Sequence, residues 1–248
     1  MSTLHLPRPI ARLMEEALDL LFPPRCAGCG RPEWPWCPAC AATVSPLLPP
    51  VCSLCGIPWL RGERCSRCKE DPLHLDGVRS CYIYSGPIRR ALHQLKFHGR
   101  YRLAQALATG MVEGWTRFGM EADLLVPVPT SSARQRQRGY NQAAVLAQAL
   151  SERLALPMHP QALRRVRATP SQVGLAQRAR RENVREAFAA DPQWAWGKRV
   201  VVVDDVCTSG ATLEACAAAL YQAGARSVWG FTLARVILKE ERDQKLRL

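Results

Sequence analysis

Two carboxylates in tandem, Asp204 and Asp205, follow a run of four valines, Val200 to Val203. After two more residues comes a loop of small and hydroxyl side chains, Thr208, Ser209, Gly210, Ala211 and Thr212. That order suits one kind of chemistry. Loop N–H groups and the first turn of a following helix offer unpaired donors, and a positive dipole end, to an anion. The hydroxyls of Thr208, Ser209 and Thr212 add hydrogen bonds, and Gly210 lets the backbone approach closely. An acid pair beside a bound phosphate is repulsive unless something bridges the two. A ribose diol donating to the acids, with Mg²⁺ nearby, does so. Asp204 and Asp205 are therefore the candidate catalytic pair and Mg²⁺ ligands, and Thr208 to Thr212 the candidate phosphate loop.

A second constellation lies near the other end of the chain. Eight of the 11 cysteines form four Cys-x-x-Cys pairs: Cys26/Cys29, Cys37/Cys40, Cys52/Cys55 and Cys65/Cys68. Each pair aims two thiolates at one point, half of a tetrahedral zinc site. Four halves make two complete sites and leave no ligand over. The segment repeats, since CAGCGRP (Cys26–Pro32) and CSLCGIP (Cys52–Pro58) both fit CxxCGxP and each precedes a further pair. The repeat favours sequential ligation: Cys26, Cys29, Cys37 and Cys40 on one zinc, Cys52, Cys55, Cys65 and Cys68 on the other. An interleaved pairing is the alternative. Sites filled by four cysteines leave no open position for catalysis, so both zinc ions are expected to be structural. Gly30 and Gly56 sit at the sharp turn after the second cysteine of each repeat. Disulfides would need an oxidising compartment. The start MSTLHLPRPI carries no apolar signal core, which predicts a reducing, cytoplasmic setting. Cys81, Cys207 and Cys216 stand alone and take no role.

Charge localises the possible partners. The chain has 34 Lys and Arg against 21 Asp and Glu, a formal net of +13. Residues 1–80 carry nine basic and eight acidic side chains, whereas residues 81–248 carry 25 and 13. Within 130–185 there are eleven arginines and two glutamates. A field of this kind attracts polyanions, and arginine suits bidentate phosphate contact. Single-stranded nucleic acid is one candidate, through Arg134, Arg136, Arg138, Arg178 and Arg181, with Tyr140 and Phe97 as possible stacking platforms. A small polyphosphate is the other. Nothing approaches the ~18 consecutive apolar residues of a membrane-spanning helix.

The surrounding pattern supplies the elements that must position these groups. The valine run reads as a strand buried on both faces. An alanine-rich helix follows the loop and ends near Gly224, and a further strand is expected near Ser227–Leu233. An earlier strand ends in Val126-Pro127-Val128-Pro129, followed by a polar loop and the Arg134, Arg136, Arg138 cluster. SGPIRRALHQLKFHGRYRLAQALA predicts two helices around Lys96-Phe97, and the basic stretch from Arg164 to Phe188 has the length of a flap over a phosphate site. Ile10, Leu13, Met14, Ala17, Leu18 and Leu21 recur at helical spacing ahead of Pro23 and Pro24, predicting an amphipathic N-terminal helix. The expected organisation is that helix within 1–24, a double zinc ribbon over 25–72 and an α/β domain over 78–240.

The string VVVDDVCTSGAT resembles the phosphoribosyl pyrophosphate (PRPP) signature of type I phosphoribosyltransferases. The resemblance implies ribose hydroxyls on Asp204 and Asp205 and the 5′-phosphate on Thr208 to Thr212. It also implies pyrophosphate in the loop after the earlier strand, at Pro129 and Thr130, with Arg134 and Arg138. The position of the proton-carrying acid of hypoxanthine-type enzymes is Thr208 here. Nor does a cysteine follow Met1, as a glutamine-hydrolysing amidotransferase half would require. LKFHG (Leu95–Gly99), VPVP, RxxxRGYNQ (Arg134–Gln142), the TPSQ…AF stretch (Thr169–Phe188) and the paired Cys-x-x-Cys ribbon narrow this further. The chain resembles the ComF family of competence-associated phosphoribosyltransferase-like proteins over about residues 20–235. That implies a type I phosphoribosyltransferase fold, a parallel sheet flanked by helices, behind a four-cysteine zinc-ribbon segment. It further implies handling of single-stranded DNA during uptake. The zinc segment adds a third reading, docking onto a partner such as a helicase. A phosphoribosyltransferase, a binding module with a vestigial site, and a metabolic enzyme of unassigned acceptor all remain open readings.

Overall fold

The computed structural model describes residues 25–32, 35–97, 101–167 and 187–237. The expected helix over 10–21, most of the basic flap, and Arg178 and Arg181 lie outside them. Two short helices belong to the cysteine segment, α1 (Pro38–Ala42) and α2 (Ser66–Glu70). Then come β1 (Gly77–Ile83), α3 (Gly86–Phe97), α4 (Tyr101–Arg117), β2 (Leu124–Pro127), α5 (Ser132–Arg138) and α6 (Gln142–Leu154). The chain continues through β3 (Leu163–Arg165), β4 (Phe188–Ala190), α7 (Pro192–Ala195), β5 (Arg199–Cys207), α8 (Ala211–Gln222) and β6 (Ser227–Arg235). The main sheet is parallel throughout, in the order β1-β6-β5-β2. β3 and β4 form a separate antiparallel pair.

The valine run explains the layering. Successive strand side chains point to opposite faces. Val201 and Val203 join a core with Leu92, Leu107, Met111, Leu146 and Leu150, from helices α3, α4 and α6. Val200 and Val202 join the other core, with Leu213 and Leu220 of α8, and with Leu54, Ile57 and all four cysteines Cys52, Cys55, Cys65 and Cys68. The second half of the cysteine segment is thus part of the material that covers one face of the sheet. Cys26, Cys37 and Cys40 pack separately, with Trp36. α8 begins at Gly210 and stops where Gly224 takes φ +86°, the left-handed residue just past a helix end. Among the described residues no helix is long and apolar enough to cross a membrane.

The two CxxCGxP repeats therefore do not occupy equivalent surroundings, and their glycines show it. Gly30 and Gly56 both have positive φ, +79° and +73°. A Cβ on Gly30 would meet nothing within 4 Å, whereas one on Gly56 would lie 2.2 Å from the Val78 carbonyl oxygen of β1. Gly30→Ala is expected to carry only the left-handed penalty of about 1–2 kcal/mol. Gly56→Ala must also push the ribbon off β1, so its denaturation midpoint is expected to fall at least twice as far. Chemical denaturation of the two variants side by side checks this.

Candidate phosphate-binding site and cysteine centres

The helices that follow the neighbouring strands β2 and β5 go to opposite faces of the sheet, α6 to one and α8 to the other. Between two such strands the connecting loops diverge and leave a crevice at the carboxyl ends, where open α/β sheets bind ligands. Register places both loops at one edge: Pro127 pairs with Val203, and the Val128 N–H donates to the Val203 carbonyl (2.9 Å). Asp204 and Asp205 follow immediately on the β5 side, Pro129 and Thr130 on the β2 side.

Asp204 and Asp205 are both partly buried, and Asp204 Oδ1 accepts the Asp205 N–H at 2.8 Å. Burial, and then the neighbouring Asp205 charge, push the Asp204 carboxyl well above the usual carboxylate range. Lys96 Nζ of α3 lies 3.3 Å from Asp205 Oδ2. The sequence placed Lys96 between two helices and gave it no role. The signal was its position in LKFHG, whose meaning depends on the end of α3 reaching the acid pair that follows β5.

Across the turn, Thr208 is exposed, while Ser209 and Gly210 are buried. Gly210 adopts φ +91° as the N-cap of α8, and its carbonyl accepts the Glu214 N–H (2.9 Å). Ser209 Oγ accepts from the Ala211 N–H at 3.4 Å. Thr212 sits in the first turn, half-buried. The loop therefore presents the hydroxyls and N–H groups of a helix start beside an acid pair. Leu73 and His74, just after the second cysteine set, rest against it. A Cβ on Gly210 would lie 3.0 Å from Leu73 Cδ1, and His74 N–H donates to Glu214 Oε1 (2.9 Å).

The arginine cluster is helical rather than in a loop. Ser131 Oγ accepts the Arg134 N–H (3.3 Å) and caps α5, and Asn141 caps α6 while its Nδ2 donates to the Val128 carbonyl (2.9 Å). Helical spacing puts Arg134 and Arg138 on one side of α5 and Arg136 on another. Arg138 and Tyr140 are half-buried, and Arg134 and Arg136 are exposed. A cavity of about 840 Å³ runs from Pro129, Thr130 and Ser131 to Arg164, Arg165 and Arg167 of the β3 region, with Trp194 also in its wall. Trp194 stacks on His159 (3.4 Å between centroids). Burial, and then the charge of Arg134, lower the Arg165 guanidinium below its ordinary value. Two close cations of this kind favour an anion between them. Arg164, Arg165 and Arg167 were counted in the sequence as charge but not assigned to a site, because only the β3–β4 pairing turns them toward the β2 loop. The side chain of Phe97 lies outside the described positions.

The eight ribbon cysteines assemble sequentially. Within Cys26, Cys29, Cys37, Cys40 and within Cys52, Cys55, Cys65, Cys68 all sulfurs lie within 4.8 Å of one another. A tetrahedral zinc with bonds of about 2.3 Å spaces its sulfurs by just under 4 Å, so both sets fit. Backbone N–H groups already face the sulfurs, from Gly28 and Cys37 to Cys26 and from Cys65 to Cys52 (3.3–3.4 Å). Cys26 is lowered to about 6. Burial raises it and the backbone donors, Cys37 first, bring it down. Every described cysteine is free of disulfides.

Residues 17–69 match the double zinc ribbon domain and residues 141–247 the phosphoribosyl transferase domain. The chain is 33% identical over 228 residues to the DNA utilization protein YhgH of Salmonella typhimurium, an alignment covering 88% of this chain and 100% of that one. The chain belongs to the ComF family. ComF relatives named for competence are more distant: 29% identity over 213 residues with competence protein ComFC of Bacillus subtilis (83% of this chain, 86% of the relative) and 30% over 194 residues with competence protein F of Haemophilus influenzae (75% and 85%). The ComF chain thus combines a phosphoribosyltransferase-like α/β domain with two four-cysteine zinc-ribbon sites.

Proposed function

We propose that this ComF chain binds PRPP, or a closely related phosphoribosyl ligand, with Mg²⁺, as part of handling single-stranded DNA. The observation that carries the reading is the partly buried acid pair Asp204/Asp205 beside a phosphate-sized loop at the start of α8, in the crevice between β2 and β5. The 2′ and 3′ hydroxyls of the ribose donate to the two carboxylates. The N–H groups and hydroxyls of Thr208, Ser209, Gly210, Ala211 and Thr212 receive the 5′-phosphate. Pro129 and Thr130 flank the pyrophosphate, and Arg134 and Arg138 meet its charge, with Arg165 across the cavity. The hard oxygen donors of Asp204 and Asp205 suit Mg²⁺, which they would hold and which would neutralise negative charge on the ligand. Where transfer follows, the acceptor's nucleophilic atom bonds to C1 as the C1–O bond breaks with its electron pair departing on pyrophosphate, and the acceptor's proton passes to solvent. The arginines stabilise that leaving charge and the acid pair the positive charge left on the sugar. With Thr208 at the position of the hypoxanthine-type acid, no carboxyl at that point takes the acceptor's proton.

Support for the DNA part comes from the relatives named for competence and DNA utilization, and from exposed arginines at and beside the cavity. Arg136, Arg164 and Arg167 are exposed, and Arg136 points away from the Arg134/Arg138 side. Alternatives are a DNA-binding module whose phosphoribosyl site is regulatory, and a transferase of metabolism. One titration series separates them. Calorimetry with PRPP and Mg²⁺ is expected to give saturable binding that Asp205→Ala abolishes. A fluorescent oligonucleotide is expected to bind with an affinity that falls steeply with salt and weakens on Arg136→Ala. PRPP that gives no heat with the native protein rejects the first part, and salt-insensitive or absent DNA binding rejects the second.

A further inference from the structure

Trp196 is 75% exposed, the most exposed large apolar side chain among the described residues. Its place is nevertheless fixed. It is the C-cap of α7 and its N–H donates to the Pro192 carbonyl (3.0 Å), while the next N–H, of Gly197, donates to the Gly224 carbonyl (2.8 Å). The indole rests on the bare backbone of Gly224, where a Cβ would lie 2.2 Å from Trp196 Cε3. A ring held this way and left in water forgoes apolar burial. It also offers a flat surface that is already ordered, so a ligand that covers it loses little entropy in doing so.

The neighbouring groups are cationic and aromatic. Two residues back, Trp194 stands in the wall of the cavity of about 840 Å³ together with Arg164, Arg165 and Arg167. The Trp194 ring is already engaged, stacked on His159 and with Lys198 Nζ 6.0 Å from its centroid. Trp196 carries the open ring. Two residues of chain span at most about 7 Å, so one short turn joins the cavity wall to the exposed indole, with Lys198 beside it. The acid of this stretch, Asp191, lines the cavity and accepts the Gln193 N–H (3.0 Å) as the cap of α7. Three arginines and a lysine against Asp191 leave the stretch positive. Phosphates on cations, with an unpaired base on an indole, is the ligand chemistry that uses both features. A duplex hides its base faces, so the strand must be single. We propose that Trp196 is a base-stacking platform for single-stranded DNA, on a path whose phosphates meet Lys198, Arg164 and Arg167. This rests on the DNA part of the proposed function and gives that part a location. It does not depend on the phosphoribosyl ligand.

The test uses the full zinc-loaded chain and a fluorescein-labelled single strand of mixed sequence, read by anisotropy over a range of salt. Trp196→Ala is expected to weaken binding by about fivefold or more, with the slope of log affinity against log salt unchanged. Trp196→Phe, which keeps a stacking face, is expected to recover most of the loss. Arg164→Ala with Arg167→Ala is expected instead to flatten the slope, by about 0.7 for each phosphate contact removed. Native affinity in a folded Trp196→Ala chain overturns the proposal, as does an equal loss for a duplex of the same sequence. Should Trp196→Ala fail to fold, photo-crosslinking of the native chain to a strand carrying 5-iodouracil decides. A crosslink in the peptide that contains Trp196 is expected, and crosslinks confined to other peptides overturn the platform. A native chain that binds no single strand rejects the DNA part of the proposed function itself.

Discussion

Cys55→Ser is expected to destroy the cooperative fold, while Cys29→Ser removes one zinc and leaves the fold standing. Cys55 is 0% exposed and packs in the same core as Leu54, Ile57, Val78, Val202 and Leu213. Cys29 is exposed, and its set holds the body of the protein through Ala27, Trp36 and a hydrogen bond from Arg90 to the Gly28 carbonyl. A structural zinc contributes about 10–16 kcal/mol of binding free energy. The net stability of a domain is about 5–15 kcal/mol. Loss of a ligand in the second set therefore threatens the whole margin. In the first set the same loss loosens a peripheral lobe. Metal analysis should give one zinc per chain for Cys29→Ser with a melting temperature within a few degrees of native. Cys55→Ser should be insoluble or melt without a cooperative transition. A Cys55→Ser chain melting cooperatively near the native temperature would show that the second ribbon is not part of the core.

The asymmetry of the two ribbons marks what the sequence could not convey. CAGCGRP and CSLCGIP look like copies, and the pairing of their cysteines followed correctly from the repeat. Which copy lies under the sheet depends on long-range contacts, Leu54 and Gly56 against β1 and Leu73 against Gly210, that leave no local pattern. The same holds for Arg235 and Cys207, a solitary arginine and a solitary cysteine 28 residues apart that meet only when β5 and β6 pair in register. By contrast the valine run, the acid pair and the Gly210 loop were legible because each is specified over a few residues: strand alternation, then a left-handed turn, then a helix start. Arg134, Arg136 and Arg138 were legible as charge, but their division into two sides of α5 required the cap at Ser131. Lys96 and the β3 arginines reach the site from elements remote in sequence, and nothing in their own neighbourhoods points there.

Asp204→Asn is expected to stabilise the ligand-free protein at neutral and higher pH and to weaken PRPP binding at least tenfold. Burial, and then the charge of Asp205, raise the Asp204 carboxyl. A group whose pKa rises on folding contributes stability in full below its unfolded value, about 3.9 for aspartate, and that contribution is lost as pH climbs through the raised value. At pH 8 the native fold therefore bears a cost at Asp204, whether its carboxyl is held protonated or ionised beside Asp205, with Lys96 3.3 Å from Asp205 as partial compensation. Asparagine has no charge to desolvate, and its carbonyl oxygen can still accept the Asp205 N–H. A gain of about 1 kcal/mol corresponds to roughly 2–4 °C in a chain of this size. The melting temperature of Asp204→Asn should thus exceed the native one by at least that much at pH 8, and the difference should shrink toward zero near pH 4. A variant that melts lower at pH 8, or gains equally at both pH values, would mean that charge repulsion is not what Asp204 contributes. Opposite signs for fold and ligand have one physical origin. The charge that burdens the empty site is the charge that a ribose diol and Mg²⁺ would neutralise on binding.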